Sequence, residues 1–120
     1  MSHPVHAPPD PATAPWCLFL DVDGTLLDIA PTPDAVRVED SLKELLAATS
    51  DALRGALALV SGRSIATLDA LFAPHTWPAA GLHGIERRDA TGSVHLAALD
   101  APALDVAREA LAAVVAAAPG

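Results

Sequence analysis

Apolar residues run unbroken from Trp16 to Leu20 in "WCLFL" and stop at "DVDGT". A continuous run that ends on acids and a glycine predicts a strand buried on both faces of a parallel sheet. In "SLKELLAATSDAL" the pattern changes to helical spacing. Leu42, Leu45, Leu46 and Leu53 fall along one face, and Ser41 and Glu44 are spaced as a capping box. A second apolar run, Ala56 to Val60, predicts a second buried strand. "SGRS" ends it, and Ile65, Leu68, Leu71 and Phe72 return to helical spacing, with Ser64 placed as N-cap. After "APHTWP", the stretch "AAGL" predicts a third, short strand that ends at His83 and Gly84. Strand, helix, strand, helix, strand in this order predicts an α/β fold with right-handed crossovers. "IERRDATGSVHLAAL" then predicts a hairpin turning at Thr91 and Gly92. "PALDVAREALAAVVAAA" closes with Leu104, Ala107, Leu111, Val114 and Val115 on one helical face.

The first fifteen residues, with five prolines among them, predict a flexible tail decorated by His3 and His6. The 120 residues carry a net charge of −8 and a single lysine, Lys43. That balance argues against nucleic acid or an anionic membrane surface as partner, since both require basic patches. Cys17 is the only cysteine, so no intrachain disulfide forms, and its apolar neighbours predict a buried, unreactive thiol. The N-terminal stretch lacks the basic start and apolar centre of a signal peptide, and no apolar run approaches the ~20 residues of a membrane span. A cytoplasmic location is expected.

Open parallel sheets bind ligands beyond the carboxyl ends of their strands. Asp21 and Asp23, then Ser61, Gly62 and Arg63, then His83 all fall at such ends. Asp21 and Asp23 are two residues apart, so an extended backbone presents both on one side. Neighbouring carboxylates raise one another's pKa, which lets one attack as a nucleophile while the other donates a proton. Gly24 permits a left-handed turn. The hydroxyl of Ser61, the Gly62 amide and the start of a helix suit a phosphate dianion. Each motif alone also has a plainer reading: a solvated turn, an N-cap, a structural histidine. Other polar residues read as structural or solvated. Arg88 and Asp89 lead into a turn and face solvent, Lys43 lies on the polar side of its helix, His95 is structural, and Trp77 covers core.

"FLDVDGTLL" followed by "LALVSGRS" resembles the first two motifs of the haloacid dehalogenase-like phosphatases. "LDIAPTPD", "SGRSIATLDALF" and "AGLHGIERRD" narrow the resemblance to the trehalose-6-phosphate phosphatase family. The resemblance implies a Rossmann-like sheet of the haloacid dehalogenase type over residues 16–84, with 85–120 as the beginning of an α+β cap. It implies Asp21 as nucleophile of an aspartyl-phosphate and Asp23 as general acid and then base. Magnesium (Mg2+) would sit on the Asp21 carboxylate and the Asp23 backbone carbonyl. Gly24 and Thr25 would shape the turn, Ser61, Gly62 and Arg63 would hold phosphate, and His83, Glu86 and Arg87 would lie near the sugar phosphate.

The family's set also contains a lysine beyond the cap and an acidic pair on a later strand. Neither maps onto this sequence: Lys43 lies between the first two motifs, and Asp100 and Asp105 fall where the cap begins. The chain therefore resembles the N-terminal part of a magnesium-dependent trehalose-6-phosphate phosphatase: a fragment, a truncated gene product, or one piece of a split enzyme whose partner is a complementing C-terminal half. The residues leave open another sugar-phosphate phosphatase of the superfamily, and a non-catalytic or regulatory module. A response-regulator receiver also carries acids at strand ends, but "SGR" and "AGLHGIER" do not fit it.

Overall fold

The structure is a computed structural model that describes residues 7, 10, 15–32 and 36–118. His3, His6, Asp34 and most of the predicted tail lie outside these residues. The order along the chain is β1 (Leu18–Asp21), α1 (Asp40–Ala52), β2 (Leu57–Val60), α2 (Ile65–Phe72), β3 (Ala79–Gly81), a 3₁₀ turn (Leu82–Gly84), β4 (Glu86–Arg88), β5 (Val94–Leu96) and α3 (Ala101–Ala117). The five strands form one sheet in sequence order. β1, β2 and β3 are parallel, while β4 and β5 continue the sheet antiparallel from the β3 edge. The α/β expectation is met, with a mixed sheet that runs on past Gly84.

Two crossovers in one direction along the sheet place α1 and α2 on one face when both are right-handed. Against that face pack Leu57 and Leu59 of β2, Ala79 of β3, Leu46 of α1, and Ile65, Leu68 and Phe72 of α2. Leu18 and Leu20 of β1 join them from the same side. Trp77 closes the end of this core, edge-on to Phe72 with ring centroids 5.8 Å apart, and His75 stacks on its outer face. Burying a side chain such as Leu57 or Phe72 contributes about 1.5–3 kcal/mol.

The other face of the sheet is different. Phe19 and Val60 alternate with the buried positions and are exposed, and no helix among the described residues covers them. The expectation that β1 is buried on both faces is therefore corrected. Cys17 is corrected with it: strand alternation puts the thiol on the exposed side.

Four local expectations also change. α1 begins at Asp40 after Glu39, whose side chain caps nothing, so the Ser41–Glu44 capping box does not form. Leu45 is exposed, because the covered arc of α1 is centred on Leu42 and Leu46. Lys43 is not simply solvated: its ammonium donates to the Ala73 carbonyl at 2.9 Å and ties α1 to the end of α2. α3 has the predicted length and an N-cap from Asp100, but none of its described residues is buried.

Candidate active site at the strand ends

Val22 is fully buried, which fixes the end of β1 and drives the flanking acids out of the core. Its carbonyl then accepts the amides of Leu26 and Leu27, both at 3.0 Å, and closes a tight loop. Gly24 turns that loop with φ of +81°, a conformation that a side chain would disfavour. Within it the Thr25 hydroxyl donates to Asp21 Oδ2 at 2.9 Å. The loop leaves the Asp21 carboxylate exposed and oriented by one hydrogen bond.

Asp23 is engaged differently. Arg63 donates from Nε to both carboxylate oxygens, at 3.1 and 2.9 Å, and from a terminal nitrogen to Oδ1 at 2.8 Å. These bonds and the guanidinium charge hold the Asp23 pKa below the ordinary 3.8, against a smaller opposing effect of burial. The raising expected of Asp23 is corrected: it is held down, because the Arg63 guanidinium is bound directly to it. Arg63 accordingly joins the acid loop to the β2 loop.

At the end of β2, Ser61 is buried and its oxygen accepts the Arg63 amide at 3.1 Å. Its proton remains to be donated elsewhere. Gly62 lies under His83, since an added Cβ would come within 2.8 Å of the imidazole. His83 itself adopts φ +56° and ψ +33° in the turn after β3. Thus Asp21, Asp23, Thr25, Ser61, Gly62, Arg63 and His83 come from three adjacent strand ends.

Two predicted residues stand apart. Glu86 Oε2 accepts the Ile65 amide at 2.8 Å, at the first residue of α2. Ser64 Oγ accepts the Thr67 amide at 3.1 Å. The helix start expected to offer free donors to phosphate is therefore partly occupied by the chain's own oxygens. Arg87 alternates to the uncovered face of the sheet, in one row with Asp21, Val60 and Ala80. Three strand spacings put it about 14 Å from Asp21.

Arg88, expected to face solvent, is instead turned against the helix layer. It pairs bidentately with Asp69 of α2 at 2.7 and 2.8 Å and donates to the Trp77 carbonyl, so it clamps β4 to the helix layer. Gly81, not singled out in the sequence, is packed as closely as Gly62 but against backbone: a Cβ would meet the Arg63 carbonyl at 2.8 Å and the Ile65 amide at 2.9 Å. A glycine at a strand end was the available signal of such an approach.

Among the described residues no group of three or more His, Cys, Asp or Glu side chains could hold a metal. Asp21 has an exposed carboxylate, while both side-chain oxygens of Asp23 are taken by Arg63, leaving its backbone carbonyl. Magnesium retains waters and often takes only one or two protein oxygens together with substrate phosphate. The donor set fits a magnesium ion held jointly with a phosphorylated substrate. No helix among the described residues is long and apolar enough to cross a membrane.

The parallel β1–β2–β3 order, with paired acids closing β1 and Ser-Gly following β2, defines an α/β core that gathers its polar loops at the carboxyl ends of the parallel strands. Within that class the chain belongs to the trehalose-phosphatase family, whose model matches residues 19–120. A Sinorhizobium fredii protein described as "Probable trehalose-phosphate phosphatase" is 60% identical over 83 residues, covering 69% of this chain and 31% of that protein. The trehalose-6-phosphate phosphatase of Escherichia coli K12 is 46% identical over 107 residues, covering 88% of this chain and 40% of its own length. The chain thus spans about a third to two fifths of these curated relatives. A crystal structure of a trehalose-6-phosphate phosphatase related protein shares the fold, with a TM-score of 0.58 at 23% identity over 86% of this chain and 44% of the other.

Proposed function

We propose that this chain supplies the nucleophile and the phosphate-binding loop for magnesium-dependent hydrolysis of trehalose 6-phosphate, in the cytoplasm. The observation that carries the reading is that an exposed, Thr25-oriented Asp21 ends β1 while the buried Ser61 follows the end of β2, its hydrogen-bonded neighbour. In this reading an Asp21 oxygen attacks phosphorus while the bond to the sugar oxygen breaks. Asp23 gives its proton to the departing sugar hydroxyl, and the phosphoryl group rests on Asp21. Water then attacks phosphorus, its proton passes to Asp23, and the Asp21–phosphorus bond breaks to release phosphate. Ser61 and the Gly62 amide hold phosphate oxygens, and His83 borders the sugar phosphate. To act as an acid, Asp23 must first leave Arg63, which in this geometry keeps it ionised. Bound at Asp21 and the Asp23 carbonyl, magnesium would offset the repulsion between carboxylate and phosphate.

That repulsion is about 4 kcal/mol per phosphate charge at 4 Å and an effective dielectric near 20. Lys43 is not assigned this role: its ammonium is held between the Ala73 carbonyl and Asp40, at the start of α1. A complementing C-terminal half would supply the remaining cation and acids, and residues 85–120 would open the cap between the two halves. Each ~1.4 kcal/mol left uncompensated is tenfold in rate. Phosphate release from trehalose 6-phosphate is therefore expected to be weak from this chain alone and restored by the C-terminal portion of a relative. Asp21→Asn should return both mixtures to background. Full turnover in that variant would remove Asp21 as nucleophile, and faster release from another sugar phosphate would reassign the substrate.

A further inference from the structure

Glu86 of β4 stands opposite Gly81 of β3 in the sheet. Its carboxylate passes that glycine and reaches α2, where Oε2 accepts the Ile65 amide at 2.8 Å. A Cβ at position 81 would lie 3.2 Å from that oxygen, 2.9 Å from the Ile65 nitrogen and 2.8 Å from the Arg63 carbonyl. The absence of a side chain at Gly81 is what lets Glu86 through. First-turn amides of a helix have no partner within the helix, and a carboxylate there also meets the positive end of the helix dipole.

The same short segment is tied to the turn after β3 by two backbone bonds. Leu82 donates to the Arg63 carbonyl at 2.9 Å, and His83 donates to the Ser61 carbonyl at 3.4 Å. Leu82 and His83 both hold positive φ, +48° and +56°, which non-glycine residues keep only where the surroundings impose it. With the Ser61 amide donating to the Ala80 carbonyl at 2.9 Å, residues 61–65 are held from the β3–β4 side at four points, and Glu86 is the one of the four that uses a side chain.

We infer that Glu86 is a positioning residue: by capping α2 it sets the Ser61–Gly62 loop in its phosphate-binding form, without touching the sugar. The inference rests on the phosphatase reading only in taking that loop as the phosphate site.

The test uses the chain itself with Glu86→Ala and Glu86→Gln, read by amide hydrogen exchange and by titration with inorganic phosphate and magnesium. Glutamine keeps an oxygen acceptor for Ile65; alanine does not. The Ile65 amide should be protected in the wild type and in Glu86→Gln, and should exchange about tenfold faster or more in Glu86→Ala. Affinity for inorganic phosphate should fall about tenfold in Glu86→Ala and stay within about threefold in Glu86→Gln. Inorganic phosphate carries no sugar, so a Glu86 that only contacted the sugar would leave this affinity unmoved. Unchanged Ile65 exchange and phosphate affinity in Glu86→Ala would overturn the assignment. Should Glu86→Ala not fold, fast Ile65 exchange in the wild type or in Glu86→Gln would overturn it, and protection in both would support it. A wild-type chain that binds no phosphate either alone or with the C-terminal portion of a relative would sink the phosphatase reading, while Ile65 exchange would still decide the role of Glu86.

Discussion

A methyl group added at Gly81 would press on two backbone atoms, the Arg63 carbonyl and the Ile65 nitrogen, whereas one added at Gly62 would press on the outer edge of the His83 ring. Backbone fixed by a helix start and a sheet edge has little room to yield, but an imidazole on a half-exposed turn can swing away. Gly81→Ala is therefore expected to lose about 1–3 kcal/mol of stability by overpacking. Gly62→Ala should stay within about 1 kcal/mol of wild type while moving the His83 ring, seen as a shift of its ring-proton resonances. Equal melting temperatures for the two variants would contradict this contrast. At this scale the acid loop was legible, because D-x-D-G-T states both its chemistry and its turn. Arg63 was legible only in part. A cation after Ser-Gly suggests an anion partner, but nothing in the spacing says that the partner is Asp23, forty residues earlier. Cys17 misled for a related reason: apolar neighbours in a strand do not reveal which of its two faces is covered.

Between β4 and β5 the hairpin is held by one side chain. Asp89 accepts the Thr91 hydroxyl at 2.6 Å, the Thr91 and Ser93 amides, and His95 Nε2 at 2.7 Å. The Thr91 and His95 bonds hold its carboxyl well below the usual carboxylate range. A carboxylate depressed in the folded state adds stability wherever the unfolded chain would also be ionised, above about the ordinary 3.8. That contribution falls away as the pH drops from there toward the folded value. Hairpin opening should therefore not respond to pH through Asp89 near neutrality, and hairpin amides should exchange faster, relative to the core amides, below about pH 4. Asp89→Asn should show the quickened hairpin already at neutral pH. An acid response identical in wild type and Asp89→Asn would count against Asp89 as the anchor. The hairpin was readable because Thr91-Gly92 is a turn signal between two short strands. The clamp beside it was not, since Arg88 and Asp69 meet only once β4 is laid against α2. Likewise α2 followed from its periodicity and from Ser64. The start of α1 did not, because Ser41 lies one residue inside the helix, where it cannot cap.

Over the whole molecule, periodicity announced more apolar surface than the chain itself covers. Phe19 is 70% exposed, and Val60 and Leu96 also lie open on the strands. α3 presents Leu111, Val114 and Val115, each more than 60% exposed, to solvent. Sequence patterning shows that a face is made to be buried, but it does not name the surface that buries it. Here that limit applies to a sheet face and to a helix at once. Contiguous apolar patches beyond a few hundred Å² are uncommon on soluble monomers and favour association. Among the described residues β1 is an edge strand, which adds backbone groups beside the exposed Phe19 as a further template for association. The chain alone should accordingly show concentration-dependent association in sedimentation velocity. Phe19→Lys together with Leu111→Lys should shift it toward monomer at little cost in stability, because both positions are already exposed. The complementing half should compete with self-association for the same surfaces if it covers them. Adding it would then dissolve the larger species as it restores phosphate release. A chain that stays monomeric at high concentration, with unchanged behaviour in the double-lysine variant, would mean that these faces are tolerated in water. Restored turnover without loss of the associated species would place the complementing contact elsewhere on the fold.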